Sequence, residues 1–211
     1  MSKIPACPRP TRPVLGREDR CQAMLDAAEE LFLEQGFERT TLSAVVARSG
    51  GSLATLYAEF GNKQQLLRAV VARGREEELG DLLDLCKGDQ SPREQLRIIA
   101  QRLHAFLMTP KTLALARMVI AHSLAHPGFG LAFHNDIRVR MVDRLAEIFT
   151  RWTEDGRARI PDPVPAAELY FSSVLCDAPV KAMMGVPPEP TDPAVLDRRL
   201  QPFFEHFQIQ D

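Results

Sequence analysis

The sequence predicts an all-α protein of about nine helices packed as bundles, on three observations. Apolar residues recur at helical spacing along the chain, and no segment alternates convincingly with period two. Proline and glycine fall at helix-length intervals, so each helix has a start and a stop.

Lys3, Arg9, Arg12, Arg17 and Arg20 make the start of the chain basic, and residues 1–16 read as a proline-rich arm without fixed structure. From Arg17 to Gln35, Cys21, Met24, Leu25, Ala28, Leu31 and Phe32 share one helical face, and Gly36 stops the helix. Thr40 or Thr41 caps a short helix with Leu42, Val45 and Val46 on one side. Gly50-Gly51 breaks it, and Ser52 caps a third segment running to Phe60. After Gly61-Asn62, a connecting helix spans 63–86 with Leu66, Leu67, Val70 and Val71 in phase.

Ser91-Pro92 reads as a cap followed by proline at the first helical position, opening a helix to Met108. Pro110 begins the next, which ends at His126-Pro127-Gly128. A long helix follows to Gly156, with Met141, Leu145, Ile148, Phe149 and Trp152 inward. Proline-rich loops around 160–165 and 186–193 bracket the last two helices.

Composition sets the bounds. With 45% hydrophobic and 26% charged residues, the 211-residue chain has the make-up of a globular protein with a core. No apolar run approaches the ~20 residues of a bilayer-spanning helix, and the first residues lack a signal-peptide pattern. The expected location is the cytoplasm, with no membrane partner. Cys7, Cys21, Cys86 and Cys176 are too scattered for a zinc site or a disulfide framework, so mostly buried thiols are expected. Net charge is −2, yet residues 1–75 carry eleven Lys/Arg against eight Asp/Glu. The positive excess lies in the N-terminal third.

Residues 41–60 carry the chemistry. Two short helices about a glycine turn form a helix-turn-helix, and the second is narrow enough for a B-DNA major groove about 12 Å wide. Leu56 and Phe60 would pack inward, turning Leu53, Ala54, Thr55 and Ala58 toward DNA in varying degree. Tyr57 would stand at the groove wall, where phosphates lie. Lys63 opens the next helix, so its ammonium and free backbone N–H groups could hold a phosphate together; Thr41 offers a similar arrangement. A plain three-helix packing unit with ordinary caps is the alternative for any one of these residues.

Residues 23–71 resemble the DNA-binding domain of the tetracycline-repressor (TetR) family. Ala27–Phe37, Thr40-Thr41-Leu42 and the block Thr55-Leu56-Tyr57 through Phe60, Gly61 and Lys63 carry the likeness. The resemblance implies DNA contacts at Thr41, Ser52, Ala54, Thr55, Tyr57 and Lys63, with Leu53 beside them. It further implies a homodimer with a C-terminal ligand-sensing domain. The expected partners are double-stranded operator DNA, a second copy of the chain and a small-molecule effector; no cofactor or metal is expected. The domain division is 17–62 for DNA binding and 63–211 for sensing and dimerisation. Three positions depart from the family pattern: Gly51 for an apolar residue, Leu53 for a basic one and Glu59 for an aromatic. They predict a looser turn and negative charge near the DNA face.

Ala114 to Gly185 resembles the sensor half of the AefR-like subgroup, through residues 116–121 and 156–168. Leu169, Val174, Val180 and Met184, then Leu196, Leu200, Phe203, Phe204 and Phe207, form apolar stripes on the last two helices. They could meet symmetry mates in a four-helix interface or pack on the protomer's own core; the resemblance favours the interface. His104, Phe106, Arg117, Met118, His122, Phe149, Trp152, Tyr170 and Phe171 are the candidates to line a pocket for a small hydrophobic effector, ordinary core roles being the alternative. His122 and His126 stand at metal-binding spacing without a third ligand.

The expected function is a repressor that binds a palindromic operator and is released by that effector. An enzyme is the rival class, since Gly50–Ala54 faintly resembles a hydrolase nucleophile elbow, but that motif needs a preceding strand and a helix stands there. A helical binding module that never meets DNA is the second rival.

Overall fold

The computed structural model describes residues 16–80, 90–187 and 192–211, apart from the side chain at 138. Most of the arm lies outside them, as do 81–86 of the span expected for the connecting helix; the described part of that helix ends at Leu79, with Gly80 at its C-cap.

The first four helices are α1 (Arg17–Gln35), α2 (Leu42–Ser49), α3 (Leu53–Phe60) and α4 (Lys63–Leu79). Their starts follow the cap residues. Thr41, Ser52 and Asn62 each accept a hydrogen bond from the backbone N–H three residues on, at 3.1, 3.1 and 2.9 Å. Thr40, the other cap candidate, is buried and bonds instead to the Leu31 and Gly36 carbonyls at 3.1 and 2.9 Å. Gly50 ends α2 at φ 78°, a left-handed conformation in which a β-carbon would be strained.

The remainder comprises α5 (Pro92–Leu107), α6 (Pro110–Ala125), α7 (Pro127–His134), a π-helical stretch (Asn135–Val139), α8 (Arg140–Glu154), α9 (Pro163–Leu175), α10 (Ala178–Met183) and α11 (Pro193–His206). All the helices expected from periodicity are present, two of them subdivided. The π-helical stretch interrupts the long helix before Arg140. Cys176, at φ 48°, separates α9 from α10. Cys176 is also exposed and Cys21 half-buried, so the expectation of buried thiols fails for Cys176.

Two cores hold the molecule together. One joins α1–α4 through Met24, Phe32, Val45, Leu56, Leu66 and Leu67, and also takes in Leu115 and Val119 of α6 and Phe129 of α7. The other is formed by α5, α8, α9 and α11 around Leu96, Ile99, Phe149, Tyr170, Phe171 and Phe204. Burying such side chains contributes about 1.5–3 kcal/mol each. The first core therefore crosses the division at residue 62: α6 packs against α1, and Phe129 of α7 joins the same cluster.

Candidate nucleic-acid interface and interior cavity

Leu56 is fully buried against α1 and α4, which fixes the rotation of α3. That rotation leaves Leu53, Ala54, Tyr57 and Ala58 exposed and Thr55 half-buried. Tyr57 is 54% exposed, an unusual share for a tyrosine with a packed helix behind it. Ser52 Oγ lies 2.8 Å from Thr55 Oγ1, so one hydroxyl pair sits at the start of α3. Thr41 is exposed at the start of α2. One α3 surface thus carries Ser52, Leu53, Ala54, Thr55 and Tyr57 together, with the N-termini of α2 and α4 on neighbouring elements.

Lys63 is engaged rather than free. Its ammonium donates to the Phe37 and Glu38 carbonyls at 2.9 and 3.1 Å and stands 4.4 Å from the centre of the Phe37 ring. It pins the α1–α2 connection to the first residue of α4. One of its three N–H groups remains for another acceptor.

Glu59 does not present bare charge. Its two carboxylate oxygens accept from Arg17 Nε and Nη2 at 2.8 and 2.9 Å, a bidentate pair closing α3 onto the start of α1. The Arg17 hydrogen bond holds the Glu59 carboxyl below its usual range. The expected looseness at Gly51 is also absent. The Met24 methyl occupies the space a β-carbon on Gly51 would need, so α1 fills from below what the turn residue leaves empty.

Above these helices lies a cavity of about 310 Å³ enclosed by α4, α5, α6, α7, the π-helical stretch, α8, α9 and α10. Its walls are almost entirely apolar, among them Val71, Leu103, Leu115, Ile137 and Phe171, with Thr112, Arg75 and Lys111 as the polar members. Gly74 faces it, and a β-carbon there would meet nothing within 4 Å. Of the sequence-derived candidates, Phe106 and Phe171 line this space. Phe149, Trp152 and Tyr170 are buried in the second core, where the Tyr170 hydroxyl donates to the Leu96 carbonyl at 2.5 Å. Arg117 donates to the Met183 and Ala182 carbonyls at 2.9 and 2.6 Å, fastening the end of α10 to α6. Met118 packs against the first core. His104 is buried on α5 outside the cavity lining, and burial, then Arg199, pushes its pKa down. Most of the lining residues that the sequence reading missed are small or aliphatic ones from many helices, joined by Arg75, Lys111, Thr112 and Phe133. Gly74, buried inside an otherwise good helix, was the one local hint.

His122 belongs to the junction between the two halves. The Gln64 amide donates to its Nε2 at 2.9 Å, and its Nδ1–H donates to Glu38 Oε1 at 3.2 Å, a pairing that assigns the tautomer. Its ring stacks on His126 at 4.1 Å and packs edge-on against Phe129.

The apolar stripes divide. Val174, Leu196, Leu200, Phe203, Phe204 and Phe207 are buried within the protomer, the phenylalanines packing on Phe149, Tyr170 and each other. These six are core residues, and their placement in an intersubunit stripe is corrected. Leu169 and Val180 remain exposed, at 49% and 54%, with Val164 and Met184 near them in sequence. No described helix is long and apolar enough to cross a membrane.

Residues 94–201 match the family model of the AefR-like transcriptional repressor C-terminal domain, and residues 24–70 match that of bacterial regulatory proteins of the tetR family. The HTH-type transcriptional repressor ComR of Escherichia coli is 49% identical over 51 residues, which is 24% of each chain. The repressor Rv3405c of Mycobacterium tuberculosis is 38% identical over 71 residues, 34% of this chain and 37% of that one. The match thus spans well under half of these relatives. In fold, the chain is similar to a TetR-family transcriptional regulator from Mesorhizobium loti, with a TM-score of 0.75, 24% identity, and coverage of 92% of this chain and 98% of that one. It is similar also to the flavonoid-responsive regulator FrrA, at a TM-score of 0.68 and 24% identity over 90% and 97% of the two chains. Family models covering both halves, on a fold whose helix-turn-helix leaves one face of α3 exposed, make this chain a transcriptional regulator of the tetR family.

Proposed function

We propose that the protein is a repressor that binds a palindromic operator as a homodimer and is released by a small hydrophobic effector. The observation that carries this is the pairing of the exposed α3 surface with an apolar cavity whose walls include α4, the helix that starts immediately after the recognition helix. Two α3 helices about 34–36 Å apart reach successive major grooves on one face of DNA. An effector that fits the cavity better at another spacing draws the population away from the DNA-bound state by the difference in its affinities for the two.

Ser52, Leu53, Ala54 and Thr55 are the residues to reach base edges, small side chains suiting close approach. Thr41, Tyr57 and Lys63 reach phosphates. Leu169 and Val180, with Val164 and Met184, supply the apolar part of the subunit contact. That FrrA responds to flavonoids and that two relatives are named repressors accords with this reading. The test is an anisotropy titration against the DNA upstream of the protein's own gene, at two salt concentrations. Saturable binding that survives competitor DNA, with two chains per site, supports the proposal. Binding abolished by competitor removes the operator from it.

A further inference from the structure

The cavity has a chemical polarity that its apolar walls conceal. Among the described lining residues there are two cations, Arg75 and Lys111, one hydroxyl, Thr112, and no carboxylate. Arg75 Nε is buried and has no hydrogen-bond partner, and the guanidinium's ion pair is a loose one, 3.6 Å to Glu76. A buried guanidinium N–H left without an acceptor is costly, so an acceptor arriving there is favoured.

Lys111 is held from outside the cavity. Its ammonium lies 2.8 Å from Glu29 Oε1 of α1, while the other oxygen of that carboxylate is 2.6 Å from Arg73 of α4. Glu29 therefore ties three helices together: α1 and α4 of the DNA-binding end, and α6 of the sensing bundle. A second anion inside the cavity would compete with Glu29 for Lys111.

Resting on the sensor reading of this cavity, we propose that the effector is an apolar molecule ending in a carboxylate. Its body lies among the aliphatic walls, and its carboxylate takes Arg75 Nε and draws Lys111 from Glu29. The tie between α6 and α1 then weakens while Arg73 keeps Glu29 on α4. The effector's charge, not its bulk alone, thereby reaches the recognition helix. An alcohol of equal length fills the same space without touching that tie.

The test uses the full chain and three ten-carbon probes, decanoate, decan-1-ol and decylamine, titrated calorimetrically below their aggregation limits. Decanoate is expected to bind at least about ten-fold more tightly than the alcohol, as a charge-assisted contact in a dry site allows. Arg75→Met and Lys111→Met each reduce that ratio. Glu29→Gln raises decanoate affinity severalfold and leaves the alcohol unchanged, a gain that fold damage does not produce; thermal melts confirm that the variants fold. Gly74→Phe, which projects a ring into the cavity, abolishes binding of both. Equal or tighter binding of the alcohol, or preference for the amine, overturns the anion assignment and leaves the sensor reading standing. A decanoate preference unchanged in all three charge variants, or binding that persists in Gly74→Phe, overturns the placement. If none of the probes binds while operator binding is intact, both readings fall.

Discussion

The methyl of Met24 fills the space that a side chain on Gly51 would take, so the turn of the helix-turn-helix is packed from α1 rather than from the turn itself. Gly51 has no positive φ, so the constraint is steric and not conformational. Gly51→Val is expected to destabilise the domain by about 1–3 kcal/mol through overpacking. Met24→Ala costs about 2–5 kcal/mol through the cavity it leaves. The double variant costs less than the two together, because each change supplies what the other removes. Chemical denaturation of the four proteins measures the coupling, and strict additivity would mean that Met24 and Gly51 do not share the space.

Arg17 and Glu59 make the second long-range tie in this region, across 42 positions of sequence. Arg17→Ala exposes a carboxylate beside the recognition helix and is expected to weaken DNA binding. Glu59→Gln in that background restores it. Anisotropy titrations at fixed salt decide the matter, and a double variant no better than Arg17→Ala assigns the loss to Arg17's own contact with DNA.

These two ties explain what could be read from the sequence and what could not. The helix starts were legible because a cap is a local event: Thr41, Ser52 and Asn62 act on residues three positions away. The apolar stripe of α11 was equally legible as a stripe. Its period does not say whether Phe203 meets Phe149 of the same chain or a second copy, and the structure shows the former. The cavity escaped for a related reason. It is a void left where Gly74, Ala116 and side chains from separate helices fail to meet, whereas three of the aromatic residues the sequence reading sought there, Phe149, Trp152 and Tyr170, fill the second core instead.

Lys63 joins stability to DNA contact. Its two bonds to carbonyls are charge-assisted, the one to Phe37 half-buried and the one to Glu38 exposed, so Lys63→Ala is expected to lower unfolding free energy by about 1–3 kcal/mol. If its remaining N–H reaches a phosphate, the variant also flattens the plot of log affinity against log salt by about 0.9. An unchanged slope with reduced stability makes Lys63 purely a fastener of the α1–α2 connection.

His104 is expected to give the fold a pH dependence whose sign follows from its burial. Burial, then Arg199, lowers its pKa in the folded chain from the ordinary 6.5, so the unfolded chain binds the extra proton first. Its contribution is fully present above about pH 6.5. It is lost progressively as pH falls through that value and levels off below the depressed folded pKa. Melting temperatures of the native chain should therefore drop across this window more steeply than those of His104→Leu. Parallel curves would show that His104 is not the group responsible.

Leu169 and Phe203 separate the two roles that one apolar pattern can serve. Leu169, about half exposed on α9, is expected to act between subunits, so Leu169→Glu should shift the protein toward monomer in sedimentation runs while leaving each protomer folded. Monomers hold one recognition helix each, so operator affinity falls with the loss of the second half-site. Phe203, packed on Phe149, Tyr170 and Phe207, is expected to act within the protomer. Phe203→Ala costs about 3–5 kcal/mol of folding stability, and because the residue is buried inside the chain, its loss should lower the melting temperature without dissociating subunits that remain folded. A Leu169→Glu protein that stays dimeric moves the contact to another face. A Phe203→Ala protein that is stable but monomeric returns α11 to the interface.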